Sequence, residues 1–313
     1  MGTRHRTVIG EDRSEVSTVS LNPPPGRQPV KARLEFGALT HVGKVRVNNE
    51  DQYLVAQLGK SMNVLHSSLP ASEEPLLSDL VSYLLLVADG MGGAAGGERA
   101  SALVVEAAKK HILCTAKWFF RLDDPDEQVR LRLLRDSLEQ IDRKLVEEAE
   151  QNPALAGMGT TLTAASCIAD EVFLVHVGDS RAYLLHEGQL EQLTRDHTVA
   201  QKLVDEGLLR PEQAKSSRLR HMLTNVIGGM KGVSAEILKL RVDDGDRLLL
   251  CTDGLHDAVS DEQIAEVLQA NLRPTDACQA LINAALDGGG RDNITVVLAV
   301  YSIQKDEKEA CHA

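Results

Sequence analysis

The chain has 313 residues, 43% of them hydrophobic, enough for one large core or two modest domains. Its 46 Asp and Glu outnumber 34 Lys and Arg, a formal net charge of -12, which argues against nucleic-acid or anionic-membrane partners that call for a basic surface. The same balance leaves carboxylates to spare, and carboxylates are the ligands of hard cations such as Mg²⁺ and Mn²⁺.

Residues 1–33 carry scattered charge, several Ser and Thr, and the stretch N-P-P-P-G at 22–26, without apolar periodicity, and read as a disordered tail. Residues 34–303 read as one domain of alternating strands and helices, and 304–313 as a short C-terminal tail. Strands are expected at 51–58, 83–88, 161–168, 172–177, 182–186, 246–252 and 294–302, with 59–80 as a loop or surface insertion. Helical spacing of apolar residues marks 98–117, and Leu134, Leu138, Ile141 and Leu145 share one face of a second helix over 126–150. A third helix begins after Ser260, where Gln263 completes a capping box, and a fourth runs from Pro274 to just before Gly288. Helices in pairs beside many antiparallel-looking strands give an α+β layered domain.

The five cysteines, Cys114, Cys167, Cys251, Cys278 and Cys311, form no C-x-x-C pair. Mostly in apolar surroundings, they read as small buried hydrophobes of a reducing compartment. The first thirty residues are polar and charged, unlike a secretory signal, and no apolar run approaches the roughly 20 residues of a membrane span. The expectation is a cytoplasmic monomer.

The chemistry is carried by acids where apolar runs stop: Glu50 with Asp51, then Asp89, Asp179, Asp253 and Asp292. A single Asp-Gly pair is ordinarily a turn. Here Asp89-Gly90 and Asp253-Gly254 each follow a run of apolar residues, and Asp292-Asn293 precedes another. Three carboxylates placed alike on core strands can converge at one mouth, where divalent cations would relieve their repulsion. Gly90, Gly92, Gly93, Gly96 and Gly97 would let backbone pass close to an ion or phosphate, although the Lys-Ser/Thr of a P-loop is missing. Arg46, just before Glu50, reads either as a bidentate phosphate ligand or as a surface ion pair. Asp179 reads either as part of the chemistry or as the group that orients Arg181. His41, His111, His176, His186 and His221 share no ligand spacing, and Trp118, Phe119 and Phe120 read as helix-end packing.

The segments R-V-N-N-E-D (46–51), V-A-D-G-M-G-G (87–93), G-M-G-T-T (157–161), V-G-D-S-R-A (177–182), C-T-D-G-L-H-D (251–257) and G-R-D-N-I-T (290–295) resemble, in order and spacing, the motifs of protein phosphatase 2C. These are the PPM-type metal-dependent Ser/Thr phosphatases, and the likeness is to their bacterial branch. The resemblance implies a central β-sandwich of two antiparallel sheets flanked by paired helices, a four-layer αββα fold. It implies two Mn²⁺ or Mg²⁺ ions, with Asp89 bridging them, the Gly90 carbonyl on one, and Asp253 and Asp292 completing the pair. Glu50 and Asp51 would hold their waters, and Arg46 the substrate phosphate. A flap over about 194–232 would border the site. Phosphoserine and phosphothreonine on proteins would be hydrolysed by a water activated between the two cations, opposing a bacterial-type Ser/Thr kinase. Two positions depart from the family pattern. Met91 stands where animal members have a His, which leaves protonation of the leaving group to water. Ala156 stands where many bacterial members place an Asp on a third metal, and puts that site in doubt. The alternatives are a catalytically silent phosphoprotein-binding module, against which Asp89, Asp253 and Asp292 all being present argues, and a phosphatase of small phosphorylated metabolites.

Overall fold

A computed structural model describes residues 7–9, 31–62, 76–92, 96–119, 127–229, 232–270 and 272–304. The strands are β1 (Thr7–Ile9), β2 (Lys31–His41), β3 (Asp51–Met62), β4 (Leu76–Met91), β5 (Gly159–Thr160), β6 (Leu162–Ile168), β7 (Glu171–Val177), β8 (Arg181–His186), β9 (Gln189–Gln192), β10 (Glu236–Arg241), β11 (Arg247–Cys251) and β12 (Ile294–Gln304). The helices are α1 (Gly96–Phe119), α2 (Glu127–Gln151), α3 (Val199–Asp205), α4 (Pro211–Ser216), α5 (Asp253–His256), α6 (Asp261–Gln269) and α7 (Pro274–Asp287).

The strands form two antiparallel sheets. One runs β1-β10-β7-β6-β4-β3 with β5 beside β4, and the other runs β2-β12-β11-β8-β9. Alternation along the central strands builds the layers. On β4, Leu85 and Val87 point between the sheets, while Leu86 and Ala88 face Ala100, Val104, Leu138 and Leu145 of α1 and α2. On β11, Leu248 and Leu250 join the same inter-sheet core, and Leu249 and Cys251 pack on Leu281 and Ile282 of α7 and Ile264 of α6. The result is the expected αββα sandwich, with every central strand apolar on both faces.

The four expected helices form, and the Ser260–Gln263 capping box is present with both reciprocal bonds. Leu138, Ile141 and Leu145 of α2 are buried as their spacing requires. Two expectations need correction. Thr7–Ile9, placed in the tail, pairs with β10, and Lys31 to Arg33 belong to β2, which pairs along its whole length with β12. The segment 59–80 is narrower as an insertion, because β3 extends to Met62 and β4 begins at Leu76. The rest of the tail, 63–75, the C-terminal 305–313, and the side chains of His111, Cys114, Trp118, Phe119, Phe120 and Cys311 lie outside the described residues. Cys167, Cys251 and Cys278 are buried and unpaired. Among the described residues, no helix is long and apolar enough to cross a membrane.

Candidate metal centre and phosphate cleft

The sandwich gathers the acids at one end because each stands where a core strand begins or stops. Asp51 opens β3 and is the direct cross-strand partner of Asp89 near the end of β4. Asp253 follows β11 as the first residue of the single-turn α5, and Asp292 lies two residues before β12. Asp179 occupies the turn between β7 and β8. Asp89, Gly90, Asp179, Asp253, Asp292, Glu50 and Arg46 all line one cleft of about 730 Å³. Asp51 lies among them, only 2% exposed. The structure thus brings together every site residue expected from the sequence.

Threonine hydroxyls from the β2-β12-β11 sheet hold the buried Asp51, which opens a strand of the other sheet. Thr252 Oγ1 and Thr295 Oγ1 both donate to its Oδ2, at 2.8 and 2.7 Å. Thr295 Oγ1 also meets Thr40 Oγ1 at 2.7 Å, which in turn accepts from Asn49 Nδ2 at 2.8 Å. Because the Thr295 hydrogen goes to Asp51, the Thr40 hydroxyl must donate to Thr295, so the chain of bonds has one direction and ends on a carboxylate oxygen. The backbone of Asp89 is fixed similarly: its N–H donates to Thr161 Oγ1, and its carbonyl accepts from Thr160 Oγ1. Asn293 clamps the neighbouring loop, accepting from Glu50 N–H and donating to the carbonyls of Val42 and Asn48.

Asp51 Oδ1 and Asp253 Oδ1 are buried without a hydrogen-bond partner. Such atoms are costly to leave unpaired. Burial pushes the Asp51 carboxyl up to about 7 despite the two threonine hydroxyls that favour its charged form. Burial also raises Asp89 and Asp253 well above the usual carboxylate range. Repulsion adds to this, from Asp51 and Asp253 on Asp89, and from Asp179 and Asp292 on Asp253. Asp179 is pushed up to about 7, by burial first and Asp196 second. A set of oxygen donors held together against their own charge, with two oxygens unpaired, fits divalent cations of the Mg²⁺ or Mn²⁺ kind.

The glycines serve packing. A Cβ on Gly90 would strike the Gly97 carbonyl at the start of α1 and come within 2.8 Å of the Glu50 carbonyl. A Cβ on Gly97 would come 2.6 Å from Glu50 Oε2 and 2.9 Å from the Gly90 carbonyl carbon. The closeness the structure shows is of chain to chain, which sets α1 against the strand ends.

Arg46 Nη2 lies 2.7 Å from Asp292 Oδ2, with both side chains partly exposed to the cleft. The guanidinium sits beside the candidate metal ligands, and its present partner is one of them. Arg181 is oriented by Asp196 rather than Asp179, through bonds of 2.8 and 2.6 Å. Asp179 instead faces the cleft. Ala156 offers no ligand atom, as its side chain dictates. Near Asp253, donor atoms of His221 and Asp257 come within 4.8 Å of its carboxylate and of each other, but Asp257 is already paired with Arg220 at 3.2 Å.

Sequence reasoning missed Thr40, Thr252, Thr295 and Asn293. Three of these stand inside the quoted motifs, Thr252 and Asn293 next to an acid and Thr295 three residues after one, and that closeness is the signal that could have found them. The segment 194–232 holds α3, α4 and a 3-10 turn, Arg218–His221, whose end places His221, Met222, Leu223 and Val226 on the cleft wall.

A family model for protein phosphatase 2C matches residues 77–288. The chain is 39% identical over 266 residues to the Mycobacterium tuberculosis serine/threonine protein phosphatase PstP, covering 85% of this chain and 45% of PstP. It therefore spans about half the length of that relative. It is 29% identical over 278 residues to the Streptococcus pneumoniae protein phosphatase PhpP, covering 88% of this chain and 100% of PhpP. The crystal structure of M. tuberculosis PstP superposes with a TM-score of 0.67 at 38% identity, covering 85% of this chain and 98% of that one. The PstP catalytic domain in complex with 2 manganese ions superposes at 0.65 with 36% identity, covering 87% and 99%.

Proposed function

The chain belongs to the protein phosphatase 2C family, and from that premise we propose that it hydrolyses phosphoserine and phosphothreonine on proteins. The observation that carries this reading is the convergence of Asp89, Asp253 and Asp292 on one cleft, with Asp51 buried behind them as the cross-strand partner of Asp89 and two buried carboxylate oxygens unpaired beside an arginine. Two Mn²⁺ or Mg²⁺ ions fit that donor set, and a PstP structure holds two manganese ions. Asp89, the Gly90 carbonyl, Asp253 and Asp292 would be the ligands, with Glu50 and Asp51 supporting their waters. When bound, such cations supply Lewis acidity, lowering the pKa of water and neutralising phosphate charge.

The chain's own residues do the rest. Thr252 and Thr295 fix the Asp51 carboxylate so that one oxygen stays free. Asn293 holds the loop bearing Arg46 and Glu50 in register with β12. Arg46 exchanges Asp292 for the substrate phosphate and grips it through a planar fork. Met91 carries no proton, so the leaving alkoxide takes its proton from water in the cleft. A cognate Ser/Thr kinase, a monomeric state and a cytoplasmic setting belong to the same reading, the last supported by the three unpaired buried thiols.

The direct assay is Mn²⁺-dependent phosphate release from a phosphothreonine peptide, compared with phosphotyrosine and sugar phosphates. The phosphothreonine peptide should be preferred, and a preference for sugar phosphates would sink the proposal. In the same assay Arg46→Ala tests the phosphate grip. Charge-assisted contacts are worth about 1.5–3 kcal/mol, so kcat/KM should fall roughly 10- to 150-fold. Arg46→Lys should recover only part of this, since an ammonium cannot reproduce the fork. Thermal stability should move by at most about 1 kcal/mol, as for an exposed ion pair. Unchanged efficiency in Arg46→Ala would mean that the phosphate is held elsewhere.

A further inference from the structure

We infer that the rim of the cleft reads apolar side chains flanking the phosphorylated residue, so that the preferred substrate segment carries apolar neighbours beside its phosphoserine or phosphothreonine. This deepens the phosphoprotein reading and rests on it. Three of the seven large hydrophobic side chains exposed among the described residues line this one cleft: Val47, 94% exposed, Met222, 53%, and Met91, 39%. A lone exposed hydrophobe means little, but several converging on one mouth mark a contact surface. They come from three separate segments: the loop before β3, the end of β4, and the chain just after the Arg218–His221 turn.

The rim is tied to the body. The Met222 carbonyl accepts from Val199 N–H at 2.8 Å, and its N–H donates to the Leu219 carbonyl at 3.2 Å. Arg220 holds Asp257 at 3.2 Å. Met222 thus has a fixed backbone and a side chain that reaches into solvent, an arrangement that costs little ordering on binding.

Size and charge choose the occupant. A volume of about 730 Å³ is in the range of about 300–1,000 Å³ that takes a drug-sized ligand, more than one phosphorylated side chain fills. With the phosphate on the floor beside Arg46, the neighbours along the peptide meet Val47, Met91 and Met222. A sugar phosphate would set hydroxyls against these side chains. An acidic flank would approach a chain of net charge -12.

The test compares kcat/KM on three phosphothreonine peptides of equal length, flanked by valine and leucine, by serine and glutamine, or by glutamate, with p-nitrophenyl phosphate as the small ester. The apolar peptide should exceed the polar one by about tenfold, with the glutamate peptide poorest. In a Val47→Ser/Met222→Ser double variant the apolar-to-polar ratio should fall toward one. Leu208→Ser, at an exposed position off the cleft, should keep the ratio. Equal efficiency on all three peptides, a preference for glutamate, or a ratio untouched by the double variant overturns the inference while leaving phosphoprotein hydrolysis standing. Hydrolysis of the small ester and of none of the peptides overturns both. A dimer in sedimentation that dissolves in the double variant, without any flank preference, assigns the rim to a second copy of the chain and overturns the inference.

Discussion

Asp253→Asn is expected to lose orders of magnitude in turnover on a phosphothreonine peptide and yet to unfold no more easily than the parent chain when metal is absent. Asp253 lies in a cluster whose charges oppose one another, its carboxyl raised by burial and by Asp179 and Asp292. Removing that charge relieves the cluster, so in EDTA the variant's Tm should match or exceed the parent's. Saturating Mn²⁺ should reverse the order. A ligand that binds only the folded state stabilises it by about 2.7 kcal/mol at a hundredfold excess over Kd, and the variant forfeits most of that gain. Asp292→Asn should behave alike, and Asp89→Ala should be worst in turnover, because Asp89 faces both the Asp51 and the Asp253 side of the cluster. Near-normal turnover of Asp89→Ala at saturating Mn²⁺ would contradict the assignment. So would a Tm order that is the same with and without metal.

Chelation should have an effect as large. Dialysis against EDTA should abolish phosphate release, and Mn²⁺ or Mg²⁺ should restore it. Ca²⁺ should not, because it favours longer, looser coordination and acidifies water less. Full activity after exhaustive chelation would mean that the carboxylates serve another purpose.

The site was more legible than the frame that builds it. Asp89, Asp253 and Asp292 could be picked out because each interrupts or borders a continuous apolar run, and six short motifs around them follow a family order. Apolar periodicity gave the first helix pair, and the Ser260–Gln263 capping box with a Pro274 start and a Gly288 stop gave the second. The sandwich was not readable, since its pairings join distant stretches: β2 at 31–41 registers with β12 at 294–304, and β10 with β1 at the edge. Local patterning says which residues are buried, not which strand lies beside which. β2 does carry a period-two signal in Ala32, Leu34, Phe36 and Ala38, which pack toward the inter-sheet core. The threonine chain under Asp51 was hidden for the same reason, because Thr40, Thr252 and Thr295 meet only after β2, β11 and β12 align. Asp253 was legible as an acid at a strand end, but its place on a helical turn was not, since α5 spans four residues.

The central claim, that these carboxylates form a two-cation centre, is tested most directly by counting Mn²⁺ per chain by calorimetry, on the parent chain and on Asp89→Ala. With Ala156 supplying no ligand, the parent should bind two ions and Asp89→Ala should show neither with the parent's affinity. A parent chain that binds no Mn²⁺, or an Asp89→Ala isotherm indistinguishable from the parent's, would contradict it.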